Sequence, residues 1–502
     1  MATKQIEKLR EKLVEIAYLG SAVAVLNWDR ETNMPPKGSD ARALSISHLS
    51  AVIHDKFIKI DEDELLTDLK KQLDADALPK EDAIIVRETW RSYERERKLP
   101  EDFVKELAET ASKAQAVWVD ARAKSDFKLF LPWLEKVIRL KKKEAEFVGY
   151  KHSPYDALLD YHEPSMTVQK TTDVLNELKN FLIPFAAKIK NSKIKIKTET
   201  IKGRFPIEKQ VAFNKKIAEK IGFDFKSGRI DQSAHPFSIS FHPSDARITT
   251  RYDEKNIMYS VGSTIHETGH ALYEQGLPPN HFGTPLAESV SYGIHESQSR
   301  LWENMIGKSL GFWRHFYPRL KKDFPAPFKN IPLQQFYESI NCVRPSLIRT
   351  DADEATYNLH IILRFEIEKE IMENKIDVKD LPEIWNKKMK DYLGVIPPND
   401  KMGVLQDVHW SMGGIGYFPT YSLGNLYAAQ FYDKMSNDIA DIDGQISLGR
   451  FDDIKNWLRK NIYSAGKTYT ASELIKKVTG EEPNSRYFSD YLEKKYKKIY
   501  KI

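Results

Sequence analysis

The sequence predicts a mostly α-helical protein with one small β-sheet. Over the first 150 residues, apolar side chains recur at the three- and four-residue spacing of helices, with few interruptions. The same spacing returns after Ser263 and continues to the C-terminus. Only the stretch from Arg229 to Tyr259 has the alternation and composition of strands. We therefore expect a large helical body in which the sheet is a local feature.

The predicted elements follow from these patterns in chain order. Four helices are expected in the first part: Gln5 to Leu26, Arg42 to Phe57, Glu81 to Lys98 and Phe103 to Lys124. A further helical run follows Ser165, and residues 193–200 alternate in a way that predicts a short exposed strand or an irregular arm. Phe237 to Phe241 and Arg247 to Tyr252 are predicted strands, with a turn at 242–245 between them.

Composition limits the classes of protein that the chain can belong to. A length of 502 residues would ordinarily suggest about three domains, but no Gly/Ser- or Pro-rich linker divides this chain. We therefore predict a single domain, 1–502. The 77 basic and 72 acidic side chains leave a net charge of only +5, so the sequence predicts neither a nucleic-acid surface nor a membrane surface as a partner.

The cysteine content and the N-terminal region predict a cytoplasmic location. Cys342 is the only cysteine, which excludes an internal disulfide and is typical of a reducing compartment. The apolar run from Ala17 to Trp28 is too short to span a bilayer, and the charged helix before it is unlike a signal peptide. Abundant Lys, Glu and Ile also suggest a heat-adapted source.

The segment His-Glu-Thr-Gly-His at 266–270 is the strongest indication of chemistry in the chain. Residues four apart on a helix lie about 40° apart around its axis, so His266 and His270 can hold one metal ion. A divalent cation lowers the pKa of its water to about 7, and Glu267 is placed to accept the proton. The pattern predicts a metal-dependent hydrolase.

A third metal ligand must come from farther along the chain, because catalytic zinc sites usually have three protein ligands and one open position. The metzincin pattern would place Gly at 273 and His at 276, where this chain has Tyr273 and Gly276. Glu288, His295 and Glu296 lie in the next predicted helix. Spacing alone does not choose among these three, and a solvated helical glutamate remains an alternative for Glu296.

Further segments make nearly the whole chain resemble the carboxypeptidase Taq family of metallocarboxypeptidases. Together with HETGH, the segments that carry the resemblance are Trp28 to Pro35, His-Pro-Phe at 235–237, Asp-Ala-Arg-Ile-Thr at 245–249, His-Glu-Ser-Gln at 295–298, Ile-Arg-Thr-Asp-Ala-Asp-Glu at 348–354, Gly-Val-Leu-Gln-Asp-Val-His-Trp at 403–410 and Tyr417 to Asn425. They occur in the family's order.

The resemblance implies a third ligand, an activity and an architecture. By this resemblance Glu296 completes the metal site, and Glu288 is either a structural residue or one that supports a ligand from behind. The family removes C-terminal residues from peptides, so the expected partners are peptides with a free C-terminus, and a homodimer is implied. The expected architecture is a deep substrate groove beside a small sheet and the HExxH helix, with 1–200 covering the groove and 201–502 carrying the metal site.

Recognition of a free carboxylate requires a cation, and a planar guanidinium can bind it through two hydrogen bonds. Arg349 and Arg247 are the candidates, because both lie in segments that carry the resemblance. The alternative is that each arginine is held in a salt bridge with Asp351, Asp353 or Asp245. His235 and Tyr417 are further candidates for substrate contact.

Peptide hydrolysis also needs a donor to the oxyanion that forms on the carbonyl. His409, Tyr421 and Tyr417 are predicted donors, with His409 and Tyr421 assigned the catalytic role beside Glu267. Zinc is the expected ion for a His-His-Glu set, with cobalt as a possible substitute. An endo-acting helical oligopeptidase and a scaffold with a vestigial site are the rival interpretations.

Overall fold

The computed structural model describes residues 2–502, in which helices dominate. The chain forms two compact units, each built from separated segments. The first unit combines the chain up to Arg97 with Lys197–Ile340 and Phe431–Glu482. The second combines Lys98–Ile196, Asn341–Gln430 and Pro483–Ile502. The single domain expected from sequence stays a prediction.

The first unit contains the sheet and most of the helices. Its helices are α1 Ala2–Thr32, α2 Ser39–Ile58, α3 Leu65–Asp74, α4 Lys80–Glu96, α9 Ile207–Ile221, α10 Ile257–Gly276, α11 Tyr292–Arg300, α12 Leu310–Asp323, α13 Pro325–Phe328, α14 Leu333–Ile340, α18 Ile442–Ser447, α19 Asp452–Asn461 and α20 Ala471–Thr479. Directly after α11, Leu301–Ile306 form a π-helical segment.

The second unit is helical. Its helices are α5 Glu101–Lys124, α6 Phe127–Val148, α7 Pro154–His162, α8 Val168–Lys190, α15 Tyr357–Met372, α16 Leu381–Leu393 and α21 Arg486–Tyr500. Helix α17, Pro419–Asp438, begins in this unit and contributes its residues from Phe431 onward to the first. None of the helices in residues 2–502 combines the length and apolar composition that a membrane crossing requires.

A three-stranded sheet supports the HExxH helix. The strands are β1 Ile230–Gln232, β2 Ser238–His242 and β3 Asp245–Thr250, in the order β1-β3-β2. Strand β3 is central, parallel to β1 and antiparallel to β2. Helix α10 packs on β2 and β3. The contact is apolar, because Ala271 of α10 shares a buried cluster with Ala246 and Ile248 of β3.

The predicted fold class is confirmed: a mostly α-helical protein with a small sheet beside the HExxH helix. The two predicted strands correspond to β2 and β3, while β1 was not foreseen because three residues are too few to show a pattern. Residues 193–198 form no strand and are followed by a 3₁₀ turn at Glu199–Ile201, so the irregular arm is the better of the two expectations.

Candidate metal centre and substrate-binding residues

Helix α10 presents the two histidines of HETGH on one face, and α11 brings a carboxylate to them. Helix α10 begins at Ile257 and is capped by Asn256, whose side chain accepts a hydrogen bond from the Met258 amide at 3.1 Å. His266 Nε2 lies 3.8 Å and His270 Nε2 lies 3.4 Å from Glu296 Oε2. The three ligand atoms all lie within 4.8 Å of one another.

These distances fit a divalent cation. Two ligand atoms bound at about 2.0–2.1 Å with a tetrahedral angle between them lie roughly 3.3–3.4 Å apart, close to the separations found here. Burial, followed by the charge of His295, lowers the pKa of His270 to about 3, which keeps that imidazole neutral as a metal ligand must be. A His-His-carboxylate set of this kind suits zinc or a neighbouring transition metal.

The close approach of α11 to α10 depends on a glycine in the motif. A Cβ placed on Gly269 would come within 2.6 Å of Ser299 Cα and 2.8 Å of the Gln298 carbonyl oxygen. Both of these atoms belong to the α11 backbone, so a side chain here would force the helices apart. Gly269 thus sets the distance across which Glu296 reaches the two histidines.

Glu296 is buried as a charged group. Burial alone would raise its pKa, but Arg300, one helical turn later, and then His266 outweigh that effect and hold the pKa well below its usual range. Arg300 Nε donates to Glu296 Oε1 at 2.7 Å, which leaves Oε2 directed toward the histidines. The sequence did not single out Arg300, although its i+4 spacing from Glu296 was a usable signal.

Glu267 lies beside this cluster but has a different environment. It is 7% exposed, and burial raises the pKa of its carboxyl to about 7, with His266 opposing and the nearby glutamates adding to the rise. A carboxyl with a pKa near neutrality can take up and release a proton under ordinary conditions. This property suits the general base that the sequence predicts.

The other two candidates for third ligand do not join the cluster. Glu288 lies in extended backbone, and its half-exposed carboxylate pairs with Lys467. His295 Nε2 shares a 2.8 Å hydrogen bond with Glu274, and its ring stacks on His270 at a centroid distance of 4.5 Å. Within the described residues, the cluster of three ligand atoms consists of His266, His270 and Glu296.

In the second unit, Arg349 is part of a buried ion cluster around Asp407. Arg349 Nε and Nη2 lie 3.0 and 2.9 Å from Asp407 Oδ1, and Arg364 Nε donates to Oδ2 at 2.7 Å. Arg349 Nη1 donates to the Tyr357 hydroxyl at 3.0 Å. The salt-bridge alternative therefore holds for Arg349. Its partner, Asp407, lies outside the segment that contains Arg349, whereas the sequence had suggested Asp351 or Asp353.

The predicted oxyanion donors lie together in the same unit. His409 Nε2 is 3.3 Å from the Tyr421 hydroxyl, and the His409 ring stacks on Tyr417 at 5.6 Å. Burial lowers the pKa of His409 to about 4, so this imidazole is neutral at neutral pH and can donate one hydrogen bond. Arg349 lies over the Tyr421 ring at 5.0 Å, which connects the donors to the Asp407 cluster.

A buried glutamate that the sequence did not indicate fixes both ends of the loop between His409 and Tyr417. Glu368 accepts hydrogen bonds from Trp410 Nε1 at 2.8 Å, the Gly416 amide at 3.0 Å and the Tyr155 hydroxyl at 2.6 Å. It occupies one position on a helix that is buried on nearly all sides, where the sequence gives no contrast between faces.

The remaining candidates, Arg247 and His235, belong to the first unit. Arg247 Nε and Nη2 each lie 2.9 Å from an oxygen of Asp245, and its guanidinium packs 4.4 Å from the Trp28 ring. Its Nη1 makes no hydrogen bond with the part of the chain that the structure describes. His235 is exposed, and its carbonyl oxygen accepts from the Ser233 hydroxyl at 2.6 Å.

Comparisons with known proteins point to one family over nearly the full length of the chain. The profile of the family described as Carboxypeptidase Taq (M32) metallopeptidase matches residues 8–496. Carboxypeptidase 1 of Bacillus subtilis is 42% identical over 488 residues, which cover 97% of each chain. Thermostable carboxypeptidase 1 of Thermus thermophilus is 41% identical and covers 98% of each chain.

The fold of a solved relative is also similar. A crystal structure of a carboxypeptidase from Deinococcus radiodurans superimposes with a TM-score of 0.95 at 35% sequence identity, covering 99% of this chain and all of that one. These findings do not favour the endo-acting alternative. The chain belongs to the carboxypeptidase Taq family of metallopeptidases, which confirms the predicted metal-dependent carboxypeptidase.

Proposed function

We propose that this metallocarboxypeptidase releases C-terminal amino acids one at a time, with broad specificity, at the centre formed by His266, His270 and Glu296. The observation that supports the proposal is the cluster of three ligand atoms with the buried base Glu267 beside it. Family membership supplies the substrate class, peptides with a free C-terminus. One divalent cation per chain is expected.

Zinc is the cation we propose, with cobalt as an active substitute. Two imidazoles and one carboxylate are a common catalytic zinc set, and cobalt accepts the same ligands and geometry. When bound, the cation supplies Lewis acidity that polarises the scissile carbonyl and acidifies a water molecule.

The protein's own residues carry the proton transfers and the recognition. Glu267 accepts a proton from the attacking water and returns it to the leaving amine. His409, as the neutral imidazole, and Tyr421 are proposed hydrogen-bond donors to the oxyanion. Arg349 or Arg247 is proposed to bind the terminal carboxylate, with His235 and Tyr417 contacting other parts of the substrate.

The two candidate arginines differ in their exposure and in the partners that they already have. Arg349 already satisfies Asp407 and Tyr357 and has an 8% exposed side chain, so a substrate carboxylate would have to share it with these partners. The Arg247 side chain is 19% exposed, and Nη1 remains available beyond its contacts with Asp245. Substitution of each arginine separately distinguishes the two.

The activity is tested by following one peptide as the free acid and as the C-terminal amide, with the products read by mass. The free acid should give a ladder that shortens from the C-terminus, and the amide should scarcely be cut. Equal cleavage of both peptides, or products from internal bonds, would refute carboxylate recognition and favour an endo-acting oligopeptidase.

The arginine variants assign the carboxylate site in the same assay. Arg247→Ala and Arg349→Ala are compared with Arg247→Lys and Arg349→Lys. Removal of the binding arginine should raise KM for the free acid by about 30-fold or more, since a lost charge-assisted pair costs on the order of 2–5 kcal/mol. Lysine should rescue only in part, because a point charge cannot make the planar two-bond contact. Wild-type KM in both alanine variants would remove both candidates.

Assembly, location and heat resistance belong to the same proposal. The family resemblance supports a homodimer, and light scattering on the purified protein tests it. The single cysteine supports the cytoplasm as the compartment. The abundance of Lys and Glu supports thermostability, which a melting curve measures.

A further inference from the structure

A carboxylate outside the predicted ligand set contacts one of the two ligand histidines. Glu303 Oε2 lies 2.9 Å from His266 Nδ1, the ring nitrogen that faces away from Glu296. The Glu303 side chain is only 17% exposed. It belongs to the π-helical segment 301–306, which packs against α10. Such segments are rare and are frequent at functional sites.

Arg300 connects this carboxylate to the ligand glutamate. Its Nη1 donates to Glu303 Oε2 at 3.1 Å, while its Nε donates to Glu296 Oε1 at 2.7 Å. The contacts therefore run from His266 through Glu303 and Arg300 to Glu296. One side chain of each charge ties a histidine ligand from α10 to the carboxylate ligand from α11.

These contacts decide which atoms are available for a metal. If His266 donates its Nδ1 proton to Glu303, the lone pair is on Nε2, which faces the cluster. A carboxylate behind a ligand imidazole also increases its basicity and fixes its ring orientation. Arg300 occupies Oε1 of Glu296 and so leaves Oε2 as the ligand oxygen.

The second histidine is supported in another way. His270 Nδ1 is buried and makes no hydrogen bond within the described residues 2–502. Its ring is held by stacking on His295, which in turn contacts Glu274. The carboxylate support is thus specific to His266 and is not a general property of the helix.

We propose that Glu303 and Arg300 are a positioning pair for the metal centre, with Glu303 fixing the tautomer and orientation of His266 and Arg300 fixing the carboxylate of Glu296. The inference rests on the metal site of the proposed function. It predicts that metal affinity depends on two side chains that do not themselves bind the metal.

Cobalt binding tests the pair without any activity measurement. Apo-protein is titrated with Co²⁺ against a chromophoric chelator, and the visible spectrum of the bound ion is recorded. Glu303→Ala should weaken binding by about 10–100-fold and change the spectrum, because the orientation of one ligand is lost. Glu303→Gln keeps an acceptor for the Nδ1 proton, so it should lose less affinity than Glu303→Ala. Arg300→Met should weaken binding in the same direction.

Two further variants make the comparison specific. Glu288→Ala removes a carboxylate of the same unit that pairs with Lys467 and should leave affinity and spectrum unchanged. Glu296→Ala removes a proposed ligand and should lose the ion. If Glu303→Ala fails to fold, the ratio of the Co²⁺ affinities of Glu303→Gln and wild type tests the role of Glu303.

The outcomes separate the two levels of inference. The positioning pair would be overturned, and the metal site left intact, if Glu303→Gln kept the wild-type Co²⁺ affinity and spectrum. The same result would also be required of Glu303→Ala and Arg300→Met, as far as these variants fold. A wild-type protein that takes up no stoichiometric ion would overturn the metal site and the pair together.

Discussion

Glu296 of the first unit and Glu368 of the second are both buried glutamates, yet their ionisation differs. The pKa of Glu296 is held well below its usual range, whereas burial raises the pKa of Glu368 to about 7. Glu296 has Arg300 as a partner. The hydrogen bonds of Glu368 come from three neutral donors, which offset the effect of burial only in part.

The difference shows what a buried cation does in this fold. Where an arginine donates a hydrogen bond directly to the carboxylate, as Arg300 does to Glu296, the carboxylate stays charged inside the protein and can serve a metal ion. Around Glu368 the hydrogen-bond donors are neutral and Arg364 acts only through its charge, so the pKa of the carboxyl stays near 7 and the group organises backbone and side chains instead. Glu267 resembles Glu368 in its raised pKa, although it lies beside Glu296. A raised pKa suits a base that must exchange a proton.

The largest expected effect comes from Glu267→Gln, which removes the carboxyl group of raised pKa and keeps the size of the side chain. Peptide turnover should fall by about 10²–10⁴-fold, because the amide cannot accept the proton of the attacking water. The bound metal, measured by elemental analysis, should remain at one ion per chain. Wild-type turnover in this variant would show that Glu267 is not the base.

Much of this centre was predictable from the sequence, because it is encoded locally. The spacing of His266 and His270 predicts one helical face, and the resemblance selected Glu296 among three candidates. The helix carrying the motif starts earlier than expected, at Ile257, since Asn256 caps it. These features depend on residues near one another in the chain.

The unforeseen features depend on contacts between distant segments. Asp407 joins Arg349 across 58 positions, and Glu368 meets Tyr155 across 213. No periodicity connects such pairs, so they become visible only when the fold is known. Glu303 is a different case, because it lies only seven residues after Glu296. It was not foreseen because the sequence patterns used here do not indicate the π-helical segment that carries it.

A smaller effect, on stability, is expected from Glu368→Gln. The folded pKa of about 7 lies above the ordinary value of 4.5, so the folded protein retains a proton that the unfolded chain loses between these pH values. The contribution of Glu368 to stability is therefore fully present below pH 4.5 and is lost as pH rises through 7. The loss is about 3 kcal/mol for a shift of this size.

The measurement is the difference in free energy of unfolding between wild type and Glu368→Gln, from urea titrations at several pH values. This difference should move in favour of the variant by about 3 kcal/mol between pH 4.5 and pH 8. Glu370→Gln, on the same helix but partly exposed, is the matched control. A pH-independent difference for Glu368→Gln would mean that burial does not keep this carboxyl protonated, and the contrast with Glu296 would disappear.

The smallest expected effect comes from a substitution at the close contact between α10 and α11, which brings Glu296 to the two histidines. Alanine normally stabilises a helix relative to glycine by up to about 1 kcal/mol. At Gly269, however, the new Cβ would lie within 2.8 Å of two backbone atoms of α11, which cannot move without moving the helix. Gly269→Ala should therefore destabilise the protein by about 1–3 kcal/mol.

Gly262 on the same helix provides the matched control, because a Cβ there meets nothing within 4 Å. Gly262→Ala should be neutral or stabilising in a thermal melt, while Gly269→Ala should lower the melting temperature. Gly269→Ala should also weaken Co²⁺ binding, since Glu296 moves away from His266 and His270 when α11 is displaced. If Gly269→Ala binds the ion as tightly as wild type, the distance between the helices does not set the site.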